Sequence, residues 1–198
     1  MKLQRTTLIL LFLALGLGGF VYFYEVRGVT QRQEAEATEQ QIFGFTQEQV
    51  QALSIQTQGQ TLNFERENKQ WVMTSPEKTP ASDASISYLI DLLVQGRSDR
   101  TIQVPANQLG DYGLANPQAT VTVTLNNQQI HQLNLGNADF SGNLLYAQAD
   151  PADNPSGDVN LLLVSSNFQN GVNRDLAEWR IENDTPPSPT SAIPSPSP

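Results

Sequence analysis

Alternation of apolar and polar side chains marks several stretches of this chain as half-buried strands. Leu62 and Phe64 point one way while Asn63 and Glu65 point the other, and after a turn near Glu67 to Lys69 the pattern returns at Trp71 and Met73. The pair is a hairpin with one apolar face. Farther along, Val121, Val123 and Leu125 share one side of TVTVTL from Thr120 to Leu125, and strands are predicted at Ile102–Val104, Ile130–Leu135, Leu144–Ala147 and Val159–Val164. The last is apolar on both faces at Leu161, Leu162 and Leu163, which predicts a central position.

The period changes between Pro80 and Gly96. Ile86, Leu89, Ile90 and Leu93 fall at helical spacing behind Ser82 as N-cap, and Gly96 stops the run. Burying four such side chains contributes on the order of 6–12 kcal/mol before ordering entropy is subtracted, so this helix belongs to the core and covers the hairpin. Thr46 and Gln49 have the spacing of a capping box for a short helix through Val50 and Leu53, with a strand from Ser54 to Thr57 after it. A turn is expected over Leu109–Leu114, with Gly113 supplying a positive φ. A closing helix is expected within Asn167–Trp179, although Gly171 weakens it. Hairpin followed by helix thus occurs twice. The fold class read from this is α+β, an antiparallel-hairpin-rich domain of two related β-hairpin/helix units, about 42–104 and 105–180.

Ahead of this domain, Thr6 to Tyr24 is uncharged and as a helix covers roughly 28 Å, close to the hydrocarbon thickness of a bilayer. Eleven Leu, Ile, Phe or Val residues lie between Leu8 and Phe23. An N-terminal transmembrane helix is predicted, with Thr6, Leu10, Leu13, Leu17, Phe20 and Tyr24 as its anchor positions and the lipid bilayer as its partner. A cleaved signal peptide is the competing reading, because Lys2 and Arg5 form a basic start and Gly16, Gly18 and Gly19 are small. The aromatic cluster Tyr22, Phe23 and Tyr24 suits a headgroup interface and favours the uncleaved anchor. Lys2, Arg5 and the amino terminus place the N-terminus in the cytoplasm and the C-terminal domain in the periplasm or a lumen. The organisation is then 1–24 for tail and anchor, 25–41 for a polar stalk, 42–180 for the domain, and 181–198 for a tail. Half of the chain's 12 prolines fall in DTPPSPTSAIPSPSP from Asp184, so that Pro/Ser-rich tail is expected to be disordered.

Charge and composition exclude several chemistries. With 11 Lys plus Arg against 20 Asp plus Glu, the net charge of -9 argues against a nucleic-acid partner. Cysteine is absent and histidine single, which excludes disulfides, thiolate chemistry and multi-His metal sites, and no phosphate loop or dinucleotide fingerprint occurs. No cofactor is called for. His131 lies on the strand face of Leu133 and Leu135 and reads as a partly buried histidine with one hydrogen-bond partner; without a G-x-S-x-G elbow it makes a weak case for a hydrolase. Asp150, Asp153 and Asp158 cluster in ADPADNPSGD, but Ala152 breaks the calcium-loop spacing, so the stretch reads as a solvated hairpin loop. Arg97, Asp99 and Arg100 follow the helix end, where cations are favoured and a local Arg–Asp pair can form. Trp71, Tyr88, Tyr112 and Trp179 read as core or rim residues. Arg97, Arg100 and Tyr112 are the candidate interaction residues.

The run IFGFTQEQVQALSI from Ile42, WVMTSP from Trp71, the PASDASISYLIDLL helix from Pro80, RSDRTIQV from Arg97 and LGDYGLANP from Leu109 follow one another in an order that resembles the bacterial domain-of-unknown-function 4340 family, in a short single-anchor form of cyanobacterial type. The likeness covers nearly all of Ile42 to Arg180, and its specificity lies in the order of the motifs. It implies a membrane-tethered protein, and for some members an association with ABC-type transport or gliding motility; it supplies no catalytic residues. The single anchor departs from the larger members, which weakens a transport role. The expected function is a non-enzymatic extracytoplasmic accessory or scaffold domain that binds another membrane-associated protein complex. The alternative is a small-ligand or glycan binding module, which calls for a pocket between the two units lined by Trp or Tyr.

Overall fold

The computed structural model describes residues 41–181. The anchor positions Thr6 to Tyr24, the stalk before Gln41 and the tail after Ile181 lie outside the described residues. Among the described residues nine strands form one sheet: β1 (Val50–Thr57), β2 (Thr61–Glu67), β3 (Gln70–Ser75), β4 (Thr79–Pro80), β5 (Arg100–Pro105), β6 (Ala119–Leu125), β7 (Ile130–Ala138), β8 (Leu144–Ala149) and β9 (Asp158–Ser165). Every neighbouring pair is antiparallel. Two α-helices, α1 (Asp83–Gln95) and α2 (Asn167–Val172), and three 3-10 turns at Gln47–Gln49, Ala106–Tyr112 and Leu176–Trp179 accompany them. The fold is α+β with the sheet dominant. No helix among the described residues is long and apolar enough to cross a membrane.

The strand order is β4-β3-β2-β1-β6-β7-β8-β9-β5. From the central β1–β6 pair the chain meanders outward on both sides, and each run is followed by a helix. β5, which follows α1 in sequence, crosses to the far edge and pairs with β9 of the other meander. The crossing follows from α1, which starts where Ser82 N–H donates to the Trp179 carbonyl and ends at Gly96 beside the ring of Phe168 at the start of α2.

Period-2 alternation gives the sheet two unlike faces. Register aligns Met73, Phe64, Leu53, Val123 and His131 in one row across five strands. The four apolar members of this row are buried under the helices together with Ile86, Leu89, Ile90 and Leu93. The opposite face is open over β2, β1 and β6, a shallow hollow of about 210 Å³ lined by Ser54, Asn63, Thr74, Thr122 and Thr124 among others. There Ser54 Oγ donates to Asn63 Oδ1 at 2.8 Å. Toward β5 that face closes again, because the 3-10 turn at Ala106–Tyr112 folds back and packs Leu109 and Leu114 on Val104 and Leu161. This second cover explains why β9 is apolar on both sides. It stands next to the edge of the sheet rather than at its centre.

Several boundaries differ from the pattern-based expectation. Thr46 N–H does donate to Gln49 Oε1 at 2.8 Å, yet the helix behind it is a single 3-10 turn, because Val50, Leu53 and Ile55 are claimed by pairing with β6. The two-residue Asn68-Lys69 connection has φ of 50° and 70°, the left-handed pair that matches strand twist in a tight hairpin. The closing helix splits into α2 and the turn at Leu176–Trp179. Gly171 sits inside α2 for a packing reason: a Cβ there would lie 3.1 Å from Leu92 Cδ1 and 3.2 Å from Leu89 Cδ1, so glycine sets the approach of α2 to α1. Gly171→Val is therefore expected to cost about 1–3 kcal/mol, measured by urea unfolding, with an unchanged midpoint counting against a close α1–α2 contact.

Candidate functional site

Antiparallel meandering gathers alternate connections at one end of the sheet. The β1–β2 connection, the approach to β6, the end of β7 and the residue after α2 come together there. They form an open groove of about 500 Å³ lined by Thr57, Gln58, Gly59, Asn116, Gln118, Asn137 and Asn173. No charged and no aromatic residue lines it, so the Trp or Tyr expected of a ligand pocket is absent from this wall. Five side-chain amides supply donors and acceptors whose state does not change with ordinary pH. Gln118 Nε2 donates to Asn137 Oδ1 at 3.4 Å, a long contact that leaves both amides with spare capacity. Gly113 makes the arrangement possible: its φ is 73°, and a Cβ there would lie 2.4 Å from Asn137 Oδ1. Below the groove, between β6, β7 and α2, is a narrow pit of about 10 Å³ lined by Ala119, Leu135, Gly136, Leu145 and Val172, with Gln118, Gln169 and Asn173.

The β7–β8 connection rises at the same end, and Phe140 at its tip is fully exposed. The turn beneath it is tightly specified. Asp139 Oδ1 accepts from the Leu144 N–H at 3.1 Å and from Ser141 Oγ at 2.9 Å, while Asp139 N–H donates to the Leu144 carbonyl at 2.9 Å and Gly142 has φ 71°. Desolvation pushes the Asp139 carboxyl up, but the hydrogen bonds from Leu144, Ser141 and Gly142 together outweigh it and hold the carboxyl below its ordinary value of 3.8. A depressed carboxylate stabilises the turn above its unfolded value and loses that contribution as pH falls through the folded one. Acidification below about pH 4 should therefore lower the protection of the Leu144 amide, relative to its intrinsic exchange rate, ahead of β8 as a whole, and Asp139→Asn should remove that pH dependence.

At the opposite end, His131 Nδ1 donates to Asp150 Oδ2 at 2.9 Å, and Asp150 Oδ1 accepts the Gln132 N–H at 2.8 Å. The imidazole packs against Phe43 and Phe45 with ring centroids 5.3 and 5.4 Å away. It pins the segment before β1 to β7, as a partly buried histidine with one polar partner. Asp150 is thus engaged in this contact, and no group of three or more His, Cys, Asp or Glu is assembled for a metal among the described residues.

The candidate interaction residues lie on β5 and the segments next to it. Arg97 is exposed and bridges by backbone to Gln41. Arg100 is exposed at the start of β5, in one cross-strand row with Leu163 and Tyr146. Tyr112 is half-buried, its ring edge-on to Tyr146 at 4.9 Å within the second cluster. No ion pair joins Arg97 or Arg100 to Asp99 among the described residues. Pattern reasoning missed the groove because its amides are spread from Gln58 to Asn173 and only strand order unites them. Phe140 did carry a signal, as an aromatic inside the polar turn sequence Asp139-Phe140-Ser141-Gly142.

No curated protein and no solved structure matches the chain. The family model described as Domain of unknown function (DUF4340) matches residues 71–190. That span holds WVMTSP, the α1 segment, RSDRTIQV and LGDYGLANP, while IFGFTQEQVQALSI precedes it. A match over more than half of the chain establishes the relationship: this chain belongs to the DUF4340 family.

Proposed function

We propose that this chain is a single-pass, membrane-anchored extracytoplasmic accessory domain, non-enzymatic, whose globular part docks on another membrane-associated protein complex. The reading is supported chiefly by Phe140, an exposed aromatic held on a turn with several hydrogen bonds beneath it. Those bonds hold the backbone on either side of Phe140, and its fully exposed ring is the kind of aromatic that anchors interfaces. The apolar run Thr6 to Tyr24 supports the tether, with the N-terminus cytoplasmic and the domain periplasmic or lumenal. Within the domain, the two outward meanders, each followed by a helix, are read as related units, which places β5 as an excursion of the first onto the second.

Affinity isolation of the tagged full-length chain from gently solubilised membranes tests the docking. A membrane-protein partner should be recovered with the parent chain and lost at least tenfold with Phe140→Ser, whereas recovery of the chain only as a monomer would remove the proposal. Protease protection in intact cells tests the topology separately. The amide-lined groove favours a second reading, a binding module for a small neutral ligand or glycan.

A further inference from the structure

The groove and the pit are neighbours, with Gln118 and Asn173 in the walls of both. Their chemistry differs sharply. The groove offers neutral amides and the Thr57 hydroxyl, so a charged ligand finds no counter-ion and a purely apolar one leaves the amides without partners. An uncharged ligand rich in hydroxyl or amide groups satisfies them. The pit below is floored by Ala119, Leu135, Leu145 and Val172, all buried. About 10 Å³ of it is open to the centre of a water-sized sphere, room for one small group. The floor is apolar, so a methyl group seated there finds matching contacts, with Gln118, Gln169 and Asn173 as the polar part of the lining.

An acetamido group joins these two demands in one substituent, with an amide that pairs with Gln118 or Asn173 at the mouth and a methyl directly beyond it. From this juxtaposition we infer that the groove is a binding site for an N-acetylated sugar, held through its ring hydroxyls by Asn116, Asn137 and Gln58 and recognised by its acetyl methyl in the pit. The inference rests on the ligand-binding reading of the groove and is independent of the tether and of Phe140. It also accounts for the missing aromatic wall, since the apolar contact that usually comes from a stacked ring is supplied here by the pit.

The test is a titration of the full-length chain in a sugar-free detergent with N,N′-diacetylchitobiose and, separately, with cellobiose, followed by saturation-transfer NMR. The acetylated disaccharide should bind about tenfold or more tightly than cellobiose, its acetyl methyl protons receiving the strongest saturation. Asn173→Ala, a substitution at an exposed position, should weaken diacetylchitobiose about tenfold. Ala119→Ile fills the pit and should abolish the preference while leaving cellobiose binding as it was; if that variant fails to fold, Asn173→Ala and the two-sugar comparison carry the test alone. Equal affinity for the two sugars overturns the assignment of the pit and leaves the groove a general polyol site. Binding of neither sugar overturns both. Undiminished binding to Asn173→Ala overturns this location.

Discussion

Trp179→Ala should be among the most damaging single substitutions in this domain, costing about 3–5 kcal/mol and lowering the melting temperature by roughly 10–20 °C. Trp179 is completely buried. Its ring lies 5.3 Å from that of Phe64, and the Arg174 guanidinium sits 6.0 Å from its centroid. The backbone on either side is engaged as well, with the Trp179 carbonyl accepting the Ser82 N–H at 2.9 Å and the Glu178 carbonyl accepting Ser85 Oγ at 2.6 Å. Losing the indole therefore opens a cavity at the junction of the sheet, the start of α1 and the C-terminal turn, where backbone bonds hinder collapse. Trp179→Phe separates packing from polarity. The indole Nε1 is buried with no hydrogen-bond partner among the described residues, so removing it relieves a penalty and the phenylalanine variant should lose well under half as much. Urea unfolding of both variants measures this; similar midpoints would show that the ring volume at this junction carries little stability.

Phe168→Ala is expected to cost a similar 3–5 kcal/mol, with an added local consequence. α2 has six residues, too few to hold a helix on its own, and it is kept in place by burial of Phe168 and Val172 and by the close approach at Gly171. Phe168 packs beside Gly96, which ends α1; a Cβ on that glycine would lie 3.2 Å from the Phe168 ring. Removing the ring should release α2 from the end of α1 and move Asn173 out of the groove. Native-state hydrogen exchange should then show α2 amides opening well before those of β1 and β6. Unaltered protection in α2 would mean that Val172 and Gly171 suffice to hold it.

These two residues also show where sequence reasoning has reach. The apolar positions of α1 are legible because a period of 3.6 is a local property, set by which side chains can share one face of a helix. The same holds for β6, for the hairpin of β2 and β3, and for the positive φ of Gly113. Trp179 and Phe168 are legible as apolar, but their partners are not. Phe64 and Gly96 lie far away in the chain, and nothing local says that the segment after β9 returns to the start of α1. The short helix expected after Thr46 illustrates a conflict between levels: the cap forms as its residue types dictate, and the strand pairing of Val50, Leu53 and Ile55 takes precedence over further helix because burial against the sheet outweighs a few tenths of a kcal/mol of local propensity.

Taken by itself, the amino-acid order determined what depends on near neighbours: alternating strands, one amphipathic helix, tight turns, an apolar N-terminal run and the ordered motifs by which the family is recognised. Tertiary structure alone decided the strand order, the passage of β5 to the far edge, the double cover of β9, and the meeting of Gln58, Asn116, Gln118, Asn137 and Asn173 in one groove. The physical reason is that periodicity reports which side of an element is buried and carries no address for the surface that buries it. That address is set by the whole sheet at once, through register and the closing of apolar faces, and the groove exists only where four separate stretches of chain come together.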